Sequence, residues 1–112
     1  MYHYENDQED FLVLSGEAIL VIEGEERALK AWDFVHCPAE TDHVIVGAGT
    51  GPCVVVSVGS RVNAEGDWGG YTIDAAALKH GAGVEVETKD PDEAYVRFTD
   101  RRFTRYEEGW LP

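Results

Sequence analysis

Two cysteines, four prolines and one methionine are all that this 112-residue chain has of those types, and its 9 basic residues face 22 acidic ones. With only Cys37 and Cys53, and no Cys-x-x-Cys spacing, there is no disulfide framework and no zinc ribbon. Both thiols fall inside apolar runs, where cysteine acts as a small hydrophobe, so both are expected to be reduced and buried. No apolar run approaches the length of a bilayer span. The start Met1-Tyr-His-Tyr-Glu5 has neither the basic head nor the apolar stretch of a secretion signal, so a cytoplasmic location is expected. The net charge of −13 repels phosphate backbones and anionic headgroups. Nucleic acid and membrane surfaces are therefore poor partners, and a small-molecule ligand is the better expectation. The acidity serves either solubility or a salty cell interior that screens self-repulsion, and the residues leave both open. No glycine loop of the phosphate-cradling kind precedes a helix, and no Gly-x-Ser-x-Gly elbow or internal repeat is present.

What the chain does have is turns. It carries 12 glycines, many of them between short runs of Val, Ile, Leu and Phe. Phe11 to Leu14 is followed by Ser15-Gly16-Glu17, and Ala18 to Ile22 by Glu23-Gly24-Glu25-Glu26, the pattern of successive hairpins. Phe34 to Cys37 stops at Pro38, which lacks a ladder donor. Val44 to Val46 and Cys53 to Val58 complete at least five short strands in about fifty residues, which reads as an all-β sandwich or barrel. After Gly59 the texture changes. Residues 73 to 81 read as a short helix capped by Asp74, carried by alanines and ended by Gly81. The end of the chain is aromatic but not periodic, with Phe103, Tyr106 and Trp110. The expected organisation is a single domain: residues 1–60 as the barrel core, and residues 61–112 as an arm packing on the barrel or on a partner subunit.

Two stretches carry chemistry: His3-Tyr-Glu5-Asn-Asp-Gln-Glu9, leading to Gly16, and Trp32 leading through Pro38-Ala-Glu40-Thr-Asp to His43. Here the chain resembles the cupin superfamily. That family's first motif is a His-x-His pair, three or four residues, Glu, six residues, Gly. Its second is Gly, five residues, Pro-x-Gly, two residues, His, three residues, Asn. Glu9 and Gly16 have the first spacing, and Pro38 and His43 the second. With three intervening residues the pair falls on His3 and Glu5; with four it falls on Tyr2 and Tyr4. The first register is preferred because His3, Glu5, Glu9 and His43 then form a ligand set of two imidazoles and two carboxylates. Trp32, Glu40 and Gly47 stand where the second motif has Gly, Gly and Asn. The tail from Thr104 to Pro112 also looks like the ends of a bacterial cupin subgroup without assigned activity.

The resemblance implies a double-stranded β-helix, or jelly roll. It also implies a metal at His3, Glu5, Glu9 and His43, with Glu5 as fourth ligand or general base. Residues two apart on a strand project to one face. Imidazole suits Zn, Fe and Ni and carboxylate suits Mn, so the implied cofactor is a first-row divalent ion. The implied activity is a metal-dependent enzyme on a small polar molecule; a non-catalytic binding or sensing module, and a structural barrel with a vestigial site, stand beside it. His36 reads as a core histidine, Cys37 as a neighbour of the site, and His80 as a surface residue at a helix end. An ordinary cupin barrel begins with strands ahead of the first motif, whereas Met1 lies almost upon it here. An unpaired sheet edge, filled by a second copy in a homodimer, is therefore expected.

Overall fold

The computed structural model describes residues 1–62, 66–98 and 105–111. Eight strands and two short helices follow in chain order: β1 His3–Glu5, β2 Glu9–Ser15, β3 Glu17–Ile22, β4 Glu25–Lys30, β5 Phe34–Cys37, β6 His43–Ala48, β7 Val54–Gly59, β8 Gly69–Tyr71, α1 Ala75–Lys79 and α2 Pro91–Ala94. They form two antiparallel sheets, one of five strands in the order β4-β3-β6-β1-β8 and one of three in the order β5-β2-β7. The expected all-β jelly-roll architecture is what the chain adopts. No helix among the described residues is long and apolar enough to cross a membrane.

The alternation of side chains explains how the larger sheet is buried on both faces. Ala18 and Leu20 on β3 are buried, and Leu20 and Ile22 lie opposite Ile45 and His43 on β6. Residues two apart share a face, so this set looks toward the smaller sheet, whose Glu9, Phe11 and Val13 look back. The intervening residues form a second core: Tyr2, Val21, Val44 and Ala77 are buried together, with Ile19 and Val46 against them. Ala77 belongs to α1, so the helix lies over the outer face of the five-stranded sheet. Its expected cap is present, Asp74 Oδ1 accepting from the Ala77 amide at 2.8 Å. A third cluster, Tyr71, Val84 and Ala94 with Trp68 and Tyr95 against them, joins β8 to α2.

Four expectations are corrected. The turn at Gly16 closes no hairpin, because β2 and β3 belong to different sheets and only β3 and β4 pair across a turn. The N-terminal strand is not an open edge, because β1 pairs with both β6 and β8. The neighbour assigned to a second copy comes from the chain's own second half, which sequence periodicity could not place because β8 is only three residues long. His36 is not in the core: its side chain is exposed and meets Asp10 on the outer face of the smaller sheet. Both cysteines are free, but Cys53 is only half-buried while Cys37 is fully buried. Phe103 and Pro112 of the aromatic tail lie outside the described residues. Tyr106 and Trp110 are exposed and pack edge-on against each other.

Two non-glycine residues with left-handed backbone mark the departures from the second motif. Trp32 has φ 73° and Glu40 has φ 64°, and both stand where that motif has glycine. Both take a conformation that favours glycine although neither is one, which costs about 1–2 kcal/mol at each position. Glu40→Gly should therefore stabilise the fold by about 1 kcal/mol, the relief being partly offset by the freer unfolded chain. Gly69 makes the opposite case. At φ 145° its missing Cβ would overlap the Tyr4 carbonyl oxygen across the β1–β8 pair, so Gly69→Ala should cost about 3 kcal/mol. Urea unfolding of the two variants checks both signs.

Candidate metal centre

His3 and His43 lie directly opposite one another on β1 and β6, and Glu9 begins β2 in the facing sheet. The strand pleat aims all three side chains into the space between the sheets. His43 Nε2 is 3.1 Å from Glu9 Oε2, and His3 Nε2 is 3.5 Å from the same oxygen. One potential ligand atom from each of the three lies within 4.8 Å of the others. His43 is 2% exposed and Glu9 is 8% exposed, so the cluster sits below the surface, with His3 nearer the opening.

The outer nitrogen of each imidazole is fixed by the backbone. His43 Nδ1 lies 2.8 Å from the Thr41 carbonyl oxygen, and His3 Nδ1 lies 2.8 Å from that of Met1. A carbonyl can only accept, so each Nδ1 carries hydrogen and each Nε2 is directed at Glu9. This arrangement orients histidine as a metal ligand, and two imidazoles with one carboxylate suit a first-row divalent ion. The cluster can hold a metal.

The Pro38–Thr41 turn supports this geometry. The Glu40 amide donates to the Glu5 carbonyl at 2.7 Å, and the Thr41 amide to Pro38 at 3.2 Å. The left-handed Glu40 thus pins the turn to β1 while the next residue holds the His43 ring. The turn links the two histidine strands from outside their own ladder.

Glu5 occupies a different place. Its Oε1 is 3.8 Å from His3 Nε2, and its Oε2 is 3.7 Å from the Arg61 guanidinium. It stands beside the three-residue cluster without joining it. Tyr2 lies in the core under α1 and on the other face of β1 from His3, so the His3/Glu5 register is the one that faces the site. Sequence reasoning did not identify the aromatic wall. Phe11 meets the His43 ring edge-on with centroids 5.4 Å apart, while Trp68 and Tyr71 lie 6.2 and 5.9 Å from His3. Phe11 was accessible, being two residues beyond Glu9 on one strand. Trp68 and Tyr71 depend on the β1–β8 pairing and gave no such signal.

Without a metal the cluster is a buried ion pair. Hydrogen bonds from His3 and then His43 hold the Glu9 carboxyl down to about 2, against the upward push of burial. Burial pulls the His43 imidazole down, but its hydrogen bonds to Cys37, Glu9 and the Thr41 carbonyl outweigh it and raise it to about 10. A raised imidazole contributes stability fully present below its unfolded value of 6.5, lost as pH rises through 10. The lowered carboxyl contributes above 4.5, and that part is lost as pH falls toward 2. The metal-free protein should therefore lose about 2 kcal/mol between pH 6.5 and 10, and Glu9→Gln should flatten that decline. Chemical denaturation in the presence of chelator measures it, and a flat wild-type profile would mean that His43 is neutral in the fold.

Residues 2–59, just over half of the chain, match a family model described as a cupin domain. No curated protein matches the chain, and no solved structure does.

Proposed function

This chain belongs to the cupin family, and we propose that it is a metal-binding member that acts in the cytoplasm on a small polar molecule. The reading is carried by one observation: three ligand atoms from His3, Glu9 and His43 converge, with both imidazoles already held at Nδ1. The cofactor is a first-row divalent ion, Zn, Fe, Mn or Ni, held by those three residues. When bound, such an ion supplies a Lewis acid with positions left for water or a substrate oxygen.

The remaining groups have assignable work. Glu5, committed to no ligand position among the three, is the general base at the opening: it holds or takes a proton from a small molecule beside His3. Its pairing with Arg61 at 3.7 Å holds that carboxylate in place beside His3. Phe11, Trp68 and Tyr71 restrict water around the imidazoles and offer ring faces to the non-polar part of a ligand. Residues 1–60 make most of the barrel, β8 adds a strand to the larger sheet beside β1, and the remainder of the single domain packs upon it. The working form is a homodimer.

Metal analysis of protein purified without chelator or nickel affinity resin tests the centre. His3→Ala with His43→Ala should abolish stoichiometric metal and leave a β-sheet circular dichroism spectrum; a double variant that keeps its metal would place the site elsewhere. Because the ion must displace the proton on His43, affinity should rise about tenfold per pH unit between 6.5 and 10. Glu5→Gln should keep the metal. Under the enzymatic reading it should lose at least about 100-fold in turnover on any substrate found by metabolite screening. Binding without turnover in the wild type would instead make the protein a ligand-binding or sensing module.

A further inference from the structure

The outer face of the smaller sheet is apolar, and nothing among the described residues covers it. The register of β5, β2 and β7 places Phe34, Leu12 and Val56 in one row across the three strands, and His36, Asp10 and Val58 in the next. Phe34 is 65% exposed, Val58 59% and Val56 40%, and Trp32, two residues before Phe34 at the head of β5, is 75% exposed. Glu9, Phe11 and Val13 alternate to the inside, so this outer set is separate from the metal centre.

We propose that this face is the surface through which two copies of the chain associate, sheet against sheet about a two-fold axis. The inference rests on the homodimer reading and adds where the contact lies.

Charge and area both select a second copy as the occupant. A chain of net charge −13 meets its own copy favourably only through a patch without excess charge. In the two rows the ionisable residues are Asp10 and His36, and they hydrogen-bond to each other. Beside Trp32, Lys30 and Asp33 form their own pair. A two-fold axis presents the same patch from both copies, so the apolar residues of one meet the apolar patch of the other while each Asp10–His36 pair stays internally compensated. A covered aromatic ring buries roughly 150–250 Å². At these exposures Trp32 and Phe34 leave on the order of 300 Å² to water, before Val56, Val58 and Leu12 are added. An interface of standard size takes about 800 Å² from each partner, with a core about two-thirds apolar. The face supplies most of that apolar share. The edge strands β5 and β7 remain free, and the opening lined by Trp68 and Tyr71 belongs to the other sheet, so association leaves the metal centre accessible.

Sedimentation velocity of the full chain at about 50 μM in 0.15 M salt, which limits charge repulsion to about 8 Å, reads the result. The wild type should sediment as a dimer. Phe34→Glu on one edge strand and, independently, Val58→Glu on the other should each weaken it at least about 100-fold, to monomer. Both sites face solvent, and unchanged metal binding at His3, Glu9 and His43 certifies the fold. Tyr106→Ala with Trp110→Ala should leave the dimer intact. A wild-type monomer defeats the homodimer reading and this surface together. A dimer that survives both charge substitutions defeats the surface alone, and one that dissociates only in the Tyr106/Trp110 variant assigns the contact to the tail.

Discussion

The contact between Glu9 and His43 holds the two sheets in one relation. Glu9 stands on β2 in the smaller sheet, His43 on β6 in the larger, and their side chains meet 3.1 Å apart in a nearly water-free space. A carboxylate taken out of water is costly unless it is hydrogen-bonded and faces opposite charge. Glu9 meets both conditions, hydrogen-bonding to the two imidazoles and facing the raised His43. Removing either partner leaves a charge stranded, so these residues are under a stability constraint quite apart from chemistry. The apo cluster is therefore satisfied as it stands: no buried side-chain polar atom among the described residues lacks a partner. A metal held by these residues would take the place of the proton on His43.

This constraint explains the unusual backbone of the second motif. Its glycine positions carry Trp32 and Glu40, so the match by residue type is poor, yet both keep left-handed φ. At Glu40 the reason is visible: the turn must bring one amide to the Glu5 carbonyl and present the Thr41 carbonyl to His43. The motif is degenerate in its letters, yet the backbone at these two positions is still of the kind that favours glycine. Stability is given up locally to keep the histidine oriented, a pattern usual where a site needs its ligands held.

Legibility followed the range of the interaction. The β3–β4 hairpin turning at Gly24 was readable because a turn and its flanking alternation lie within a dozen residues, whereas the same signal at Gly16 marks the step from the smaller sheet to the larger. The Asp74 cap was readable for the same reason. Glu9 and His43 were recoverable through the resemblance, whose two motifs space Glu9 from Gly16 and Pro38 from His43 as this chain does. The three-residue β8 was not, because so short a strand has no periodicity, and it is the pairing of Gly69 with Glu5 and Tyr71 with His3 that creates it. With β8 missing, β1 looked like an open edge, and Trp68 and Tyr71 could not be assigned to the wall of the site. His36 was misread because Phe34 looked like a core residue. Both belong to the outward face, and an apolar residue on an exposed sheet face has the same sequence pattern as one facing inward.

Acidity and site design are connected through position. Most of the 22 carboxylates lie in exposed segments, while the buried one nearest the centre of the molecule, Glu9, is held as an anion by its two histidines. An acidic surface raises the local concentration of dications and lowers that of anions, which favours loading the centre over approach of a polyanionic ligand. At the opening the balance changes, because Glu5 faces Arg61. That pair is a small neutral zone in a negative field. The rings of Trp68 and Tyr71 stand 6.2 and 5.9 Å from His3, so the more exposed of the two imidazoles is bordered by a charge-compensated pair and by aromatic rings.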